Sequence, residues 1–176
     1  SNTSNDNCAF GTAALANTTT ATRNNAFGIS TLDTNTTGQY NAGFGYAVLF
    51  ANTTANYNSG FGHLALVANT TGSGNTALGA FALEANTTAG YNTAVGYECL
   101  HANTTATFNT GIGLQALNSN TVGSRNTAIG TYTLSTHNPA SATETYNTAV
   151  GYAALYADTT GTHNTSVGSL SLDSNT

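Results

Sequence analysis

A seventeen-residue string, Asn92 to Phe108 (NTAVGYECLHANTTATF), recurs along the whole chain. Aligned on the leading asparagine, copies begin at Asn7, Asn24, Asn41, Asn58, Asn75, Asn92, Asn109, Asn126, Asn147 and Asn164. Every step is 17 residues except the one from Asn126 to Asn147, which is 21. A short fixed period is the mark of a solenoid. Seventeen residues are too few for a pair of helices and suit one turn of a β-coil. The expected fold is all-β: a single-domain parallel β-solenoid (β-helix or β-roll) over residues 1–176, with about ten 17-residue coils of three short strands.

The columns of the repeat carry the physical reading. The fifth position is always glycine, from Gly11 to Gly168. It predicts a corner whose backbone a Cβ would oppose. The ninth position is always leucine, from Leu15 to Leu172, and the fourth is always a large apolar residue, such as Phe27, Leu78, Val95 or Ile129. Stacked about 4.8 Å apart, these two columns are expected to close a narrow core. Strand side chains alternate, so Thr76 with Leu78, and Thr93 with Val95, are expected to point inward together. The eighth position is small or modest and leaves room for the ninth. Asn-Thr-Thr segments such as Asn69-Thr70-Thr71 and Asn103-Thr104-Thr105 are read as a second corner followed by a third strand. Asparagine suits turns, and stacked asparagines can bond to one another along a ladder.

Composition narrows the function classes. Only 5% of residues are charged and the net charge is -5, against about 25% charged in an ordinary domain. The only basic residues are Arg23 and Arg125. With no basic patch, nucleic acid is not an expected partner. No apolar run nears the ~20 residues of a membrane span. Cys8 and Cys99 lie five coils apart, roughly 24 Å, too far for a disulfide. Both are read as small buried filler in inward columns.

No constellation for chemistry emerges, and no catalytic, cofactor or metal residue is assigned. His63, His101, His137 and His163 show no metal-ligand spacing. Asp33, Glu84 and Asp173 share the tenth column but in distant coils, too far apart for a carboxylate pair. The glycines are corners, not a phosphate loop. Surface candidates are few. The last column is largely aromatic or basic: Arg23, Tyr40, Tyr57, Tyr91, Phe108, Arg125 and Tyr146. The sixth adds Tyr46, Tyr97 and Tyr152. Such a ladder supports packing between coils or chains, or sugar binding. A Thr ladder could order water and bind ice. The insertion at 137–144, with the single proline, is the one place for a local binding loop. Asn2, Asn17, Asn35, Asn52, Asn69, Asn86, Asn103 and Asn164 sit in Asn-x-Ser/Thr sequons, open to glycans where a secreting host provides them.

The chain starts and stops at one phase of the repeat: Ser1-Asn2-Thr3 and Ser174-Asn175-Thr176 both match the Asn-Thr-Thr segment. Neither end reads as a capping unit. A fragment of a longer array, or a subunit that stacks end to end, is expected.

Asn92-Thr93-Ala94-Val95-Gly96-Tyr97, Asn126-Thr127-Ala128-Ile129-Gly130 and Asn147-Thr148-Ala149-Val150-Gly151-Tyr152 resemble the NTAxGYxAL…NTTG repeats of phage tail-fibre and bacterial surface-fibre proteins. They are also similar to the head repeats of trimeric autotransporter adhesins. The resemblance implies an extended extracellular, cell-surface or virion fibre. The expected role is structural, not enzymatic, and the expected partner is the chain itself, as homopolymer or homotrimer. Surface glycans are a second candidate partner, and an ice-binding or carbohydrate-binding solenoid is the alternative.

Overall fold

The structure, a computed structural model, describes residues 6–174. The readings placed on Ser1-Asn2-Thr3 and on Asn175 and Thr176 lie outside those residues. Among them there is no helix. Twelve short strands occur: β1 (Cys8–Phe10), β2 (Asn25–Phe27), β3 (Ala42–Phe44), β4 (Ser59–Phe61), β5 (Thr76–Leu78), β6 (Thr93–Val95), β7 (Thr110–Ile112), β8 (Gly123–Ser124), β9 (Thr127–Ile129), β10 (Thr143–Glu144), β11 (Thr148–Val150) and β12 (Thr165–Val167). Ten of them form one parallel sheet in the order β1-β2-β3-β4-β5-β6-β7-β9-β11-β12, and β8 pairs with β10. The register sets like on like: Thr93 pairs with Thr110, Val95 with Ile112, and, across the longer step, Val150 with Ile129. The chain is a parallel β-solenoid.

Most coils carry one three-residue strand, not the three strands expected. The rest is turn, and the reason lies in the dihedrals. The fifth-position glycines have φ between 128° and 141°. A Cβ on Gly96 would lie 2.3 Å from the Gly113 carbonyl oxygen. Beyond that corner, residues seven and nine are both left-handed, and the leucines hold φ of 49–55°. Such a conformation costs roughly 1–2 kcal/mol per non-glycine residue. Burying a leucine returns about 1.5–3 kcal/mol, and Leu32 through Leu155 are fully buried. Two such residues per turn cost roughly 2–4 kcal/mol, so leucine burial offsets part of the cost and the hydrogen bonds between coils contribute the rest. Coil-to-coil hydrogen bonds continue through the turn, as in Leu100 N–H to Ala116 C=O at 2.9 Å.

The expected facing of the strand is reversed. Positions two and four do share a face, but it is the outer one, and in the ten-stranded sheet from β2 onward the buried residue of each strand is the third of its coil, as in Thr93-Ala94-Val95. The core is too thin for a second large apolar column. Alanine, glycine or, at Ser166, serine in the third position faces the eighth and ninth residues, and sizes compensate between most neighbours, Thr133 with Ala149 being the exception. Thr31, Val48 and Cys99 each meet a glycine of the next coil: a Cβ on Gly43, Gly60 or Gly111 would lie 2.5–2.6 Å from their side chains. Where the eighth residue is Ala65, Ala82 or Ala116, the facing residue is Ala77, Ala94 or Ala128.

Two asparagine ladders complete the interior. Each first-position asparagine accepts, on Oδ1, the backbone N–H of the next: Asn109 N–H to Asn92 at 2.9 Å and Asn92 N–H to Asn75 at 3.0 Å are typical. Its amide donates to the carbonyl of residue fifteen, as Asn92 does to Ala106 at 2.9 Å. The asparagines of Asn-Thr-Thr form the second ladder, Asn52 to Asn35 through Asn103 to Asn86, at 2.8–3.0 Å. These side chains are buried, and their cost is met because nearly every polar atom has a partner.

Candidate functional surface

With position four turned outward, the solenoid presents a straight apolar column: Phe10, Phe27, Phe44, Phe61, Leu78, Val95, Ile112, Ile129, Val150 and Val167. Phe27, Phe44 and Phe61 stack face to face, with centroids 4.9 and 4.8 Å apart and planes within 4°. Ordinary sheets twist about 20–25° per strand. Rings whose centroids lie about one rung spacing apart leave little lateral offset between coils, so this phenylalanine column runs nearly straight along the axis. Beside the apolar column lies position two, with threonine in six successive coils: Thr76, Thr93, Thr110, Thr127, Thr148 and Thr165. Cys8 belongs to this outer column and is exposed, so its inward reading was wrong; Cys99 is buried as expected. Burial pushes the Cys99 thiol up to about 12.

The last column is a second straight edge. Its residues are left-handed, with φ of 53–64° in the non-glycine members. Tyr40 stacks on Tyr57 at 5.0 Å and Tyr91 on Phe108 at 5.2 Å. Arg23 lies over Tyr40 at 5.3 Å. Arg125 sits between Phe108 and Tyr146, 4.8 and 5.8 Å from their centroids. Glu144 holds Arg125 at 2.7 Å and also accepts from the Tyr146 hydroxyl. These contacts lower the Glu144 pKa and raise that of Tyr146. In the sixth column Tyr46 stacks on His63 at 5.3 Å, and Tyr97 is set edge-on to Phe81. Tyr132, Tyr152, Ala153, Tyr156 and Leu170 line a shallow hollow of about 300 Å³.

The insertion does not stand out as a loop along 137–144. His137 and Pro139 are buried, Asn138 accepts from the Thr121 hydroxyl at 2.6 Å, and Thr143–Glu144 rejoin the stack as β10. Only Ala140, Ser141 and Ala142 form an exposed run. His137 takes the place of an asparagine in the second ladder, and Asp158 follows it one coil on. Both are fully buried, with Nδ1 3.3 Å from Oδ2. The two atoms are out of hydrogen-bond line, and neither they nor His137 Nε2 has a hydrogen-bond partner. Burial pushes the His137 pKa down, and Asp158 only partly counters it.

Asp33, Glu84 and Asp173 remain in separate coils. Glu84 instead meets His101 at 2.6 Å in the next coil, a pairing visible in the shared tenth column but not read from it. Among the described residues no group of three or more His, Cys, Asp or Glu could hold a metal ion. No helix there is long and apolar enough to cross a membrane. Of the sequons, Asn35, Asn52, Asn69, Asn86 and Asn103 are buried in the ladder, Asn164 is half-buried and Asn17 is exposed; Asn2 lies outside the described residues. No protein-family model matches the chain, and neither does any curated protein or solved structure.

Proposed function

We propose that the chain is a structural segment of an extracellular fibre, on a cell surface or a virion, whose rods associate side by side through the outer face of the ten-stranded sheet. The observation that carries this reading is the straight apolar column at position four. Contiguous apolar patches beyond a few hundred Å² mark interaction sites. Nine steps of about 4.8 Å give a strip roughly 43 Å long. At a width of two to three side chains it offers on the order of 500 Å² per copy, below the roughly 800 Å² per partner of a standard interface. One strip therefore gives weak, concentration-dependent pairing, strengthened where rods are longer or a third copy shares the contact. A second copy fits such a strip because only it carries the same rung spacing in the same straight line. The resemblance of the Asn92–Tyr97 string to tail-fibre and surface-fibre repeats supports the location and the role.

Sedimentation velocity and electron microscopy test this. The chain should associate as concentration rises and form elongated, laterally paired rods. Val95→Lys with Ile112→Lys should abolish association while leaving the circular dichroism and melting temperature nearly unchanged. A wild-type chain that stays monomeric at high concentration would remove the reading.

One observation favours a second reading. From β5 to β12 the ten-stranded sheet repeats Thr-x-(Leu/Val/Ile) on its outer face. Hydroxyls and methyls spaced about 4.8 Å along the axis and 6.6 Å along the strand resemble the repeat distances of ice. The Asn-Thr-Thr threonines suit ice less well, because Thr53, Thr70 and Thr87 give their hydroxyls to carbonyls of the next coil. Thermal hysteresis that disappears in Thr110→Lys would establish this reading over lateral packing.

A further inference from the structure

The last column is interrupted once, at Gly74, between Tyr57 and Tyr91. Gly74 keeps the left-handed backbone of its column, with φ of 74°, but has no side chain to stack. The consequence is visible in exposure. Tyr57 and Tyr91 are each 63% exposed, while Tyr40 is 40% and Phe108 is 46% exposed. Elsewhere in the column ring faces cover one another, so no flat platform is offered to a ligand. At Gly74 two faces are turned toward an empty rung. Tyr91 leans over the glycine, its Cδ1 2.9 Å from where a Cβ would be, and so forms the floor of the gap.

We infer that this gap is a binding site for a guanidinium group, presented by an arginine side chain of another protein. Three observations converge. First, the size is right: Tyr57 and Tyr91 are attached two rungs of about 4.8 Å apart, so a planar guest in the rung between them lies within the ~6 Å reach of cation–π attraction of both, nearer to Tyr91, which leans into the gap. Second, the same column already holds such a guest, since Arg125 lies between Phe108 and Tyr146. Third, ring faces are negative and the chain carries a net charge of -5, so a cation is preferred to a further electron-rich ring. A planar fork also fits a one-ring gap better than a bulky, strongly hydrated ammonium. A second copy is not the donor, because Arg23 and Arg125 are already engaged in their own columns. Unlike Arg125, the guest has no Glu144 equivalent beside it, so a single site binds weakly.

The test is a titration followed by NMR of the tyrosine rings. N-acetyl-arginine amide should produce saturable shifts confined to Tyr57 and Tyr91. N-acetyl-lysine amide should bind at least several-fold more weakly, and Gly74→Tyr, which supplies the missing ring, should remove the response. Tyr57→Ala, which takes away one exposed wall, should remove it too. Equal binding of the lysine compound, tighter binding of N-acetyl-phenylalanine amide, or shifts that survive in Gly74→Tyr would overturn the assignment. None of these outcomes depends on lateral association of rods.

Discussion

Gly111→Ala tests the packing rule that holds neighbouring coils together. The added Cβ would lie 2.6 Å from Cys99 Sγ, and 3.5 Å from both the Ala116 carbonyl oxygen and Leu100 Cδ1. A comfortable contact needs about 3.5–4.0 Å, so the clash is about 1 Å deep and comes from one atom. The backbone is not the obstacle, because alanine fills the same position in the adjoining coils, Ala94 and Ala128. Overpacking of this size costs about 1–3 kcal/mol. Cys99→Ala alone removes a buried sulfur and leaves a small void, worth about 1 kcal/mol. Together the two substitutions recreate the alanine pairs found at Ala82 with Ala94 and Ala116 with Ala128. The double variant should therefore be more stable than Gly111→Ala alone. The coupling should approach the ~3 kcal/mol upper end for touching residues, or several degrees in melting temperature for a chain this long. Thermal and guanidinium unfolding of the four proteins give the cycle. If Gly111→Ala costs the same with Cys99 present or absent, the facing of third and eighth positions is wrong.

The other expectations can be checked with similar means. Asn92→Ala should destabilise by about 2–5 kcal/mol in denaturant unfolding, because it leaves the Asn109 N–H and one acceptor site on Ala106 unsatisfied in the interior. His137 is held below its ordinary pKa by burial, so the unfolded chain binds the proton more readily. Its contribution to stability is present above about pH 6.5 and is lost as pH falls below it. The unfolding midpoint should drop from pH 7 to pH 5, and the double variant His137→Asn/Asp158→Asn, which restores the ladder, should flatten that dependence. Iodoacetamide should modify Cys8 in the native protein and spare Cys99, whose thiol burial pushes to about 12, until the chain is unfolded.

The period, the parallel register and the leucine core were all legible in the sequence. Like residues at a fixed spacing can only stack, and leucine in every coil can only be inside. The facing of the strand was not legible from alternation, which says that Thr93 and Val95 share a face but not which one. The missing signal was size. Glycine in the third position follows a large eighth residue one coil earlier, at Thr31 with Gly43, Val48 with Gly60 and Cys99 with Gly111, and that pairing marks the inner face. The left-handed leucines were hidden for a different reason. Nothing in a leucine announces positive φ, and the conformation is tolerable only because the folded coil gives the side chain a core and the backbone its hydrogen bonds to the next coil. The buried His137–Asp158 pair was obscured by the four-residue insertion, which made His137 look like the start of a loop when it occupies an asparagine's place. At the surface, the aromatic and basic last column is plain in the sequence, but the gap at Gly74 has meaning only once the rings on either side are seen to stack.

The most direct measurement of the stacking itself is a set of spin-label distances along the outer threonine column. With Cys8 replaced by serine, nitroxides at Ser59 paired in turn with Thr127, Thr148 and Thr165 sample four, five and six coils. Distances should rise in equal steps of about 4.8 Å, and the 21-residue step from Thr127 to Thr148 should count as one coil like any other. Distances that rise unevenly, or that fail to grow with coil number, would contradict the solenoid and everything built on its faces.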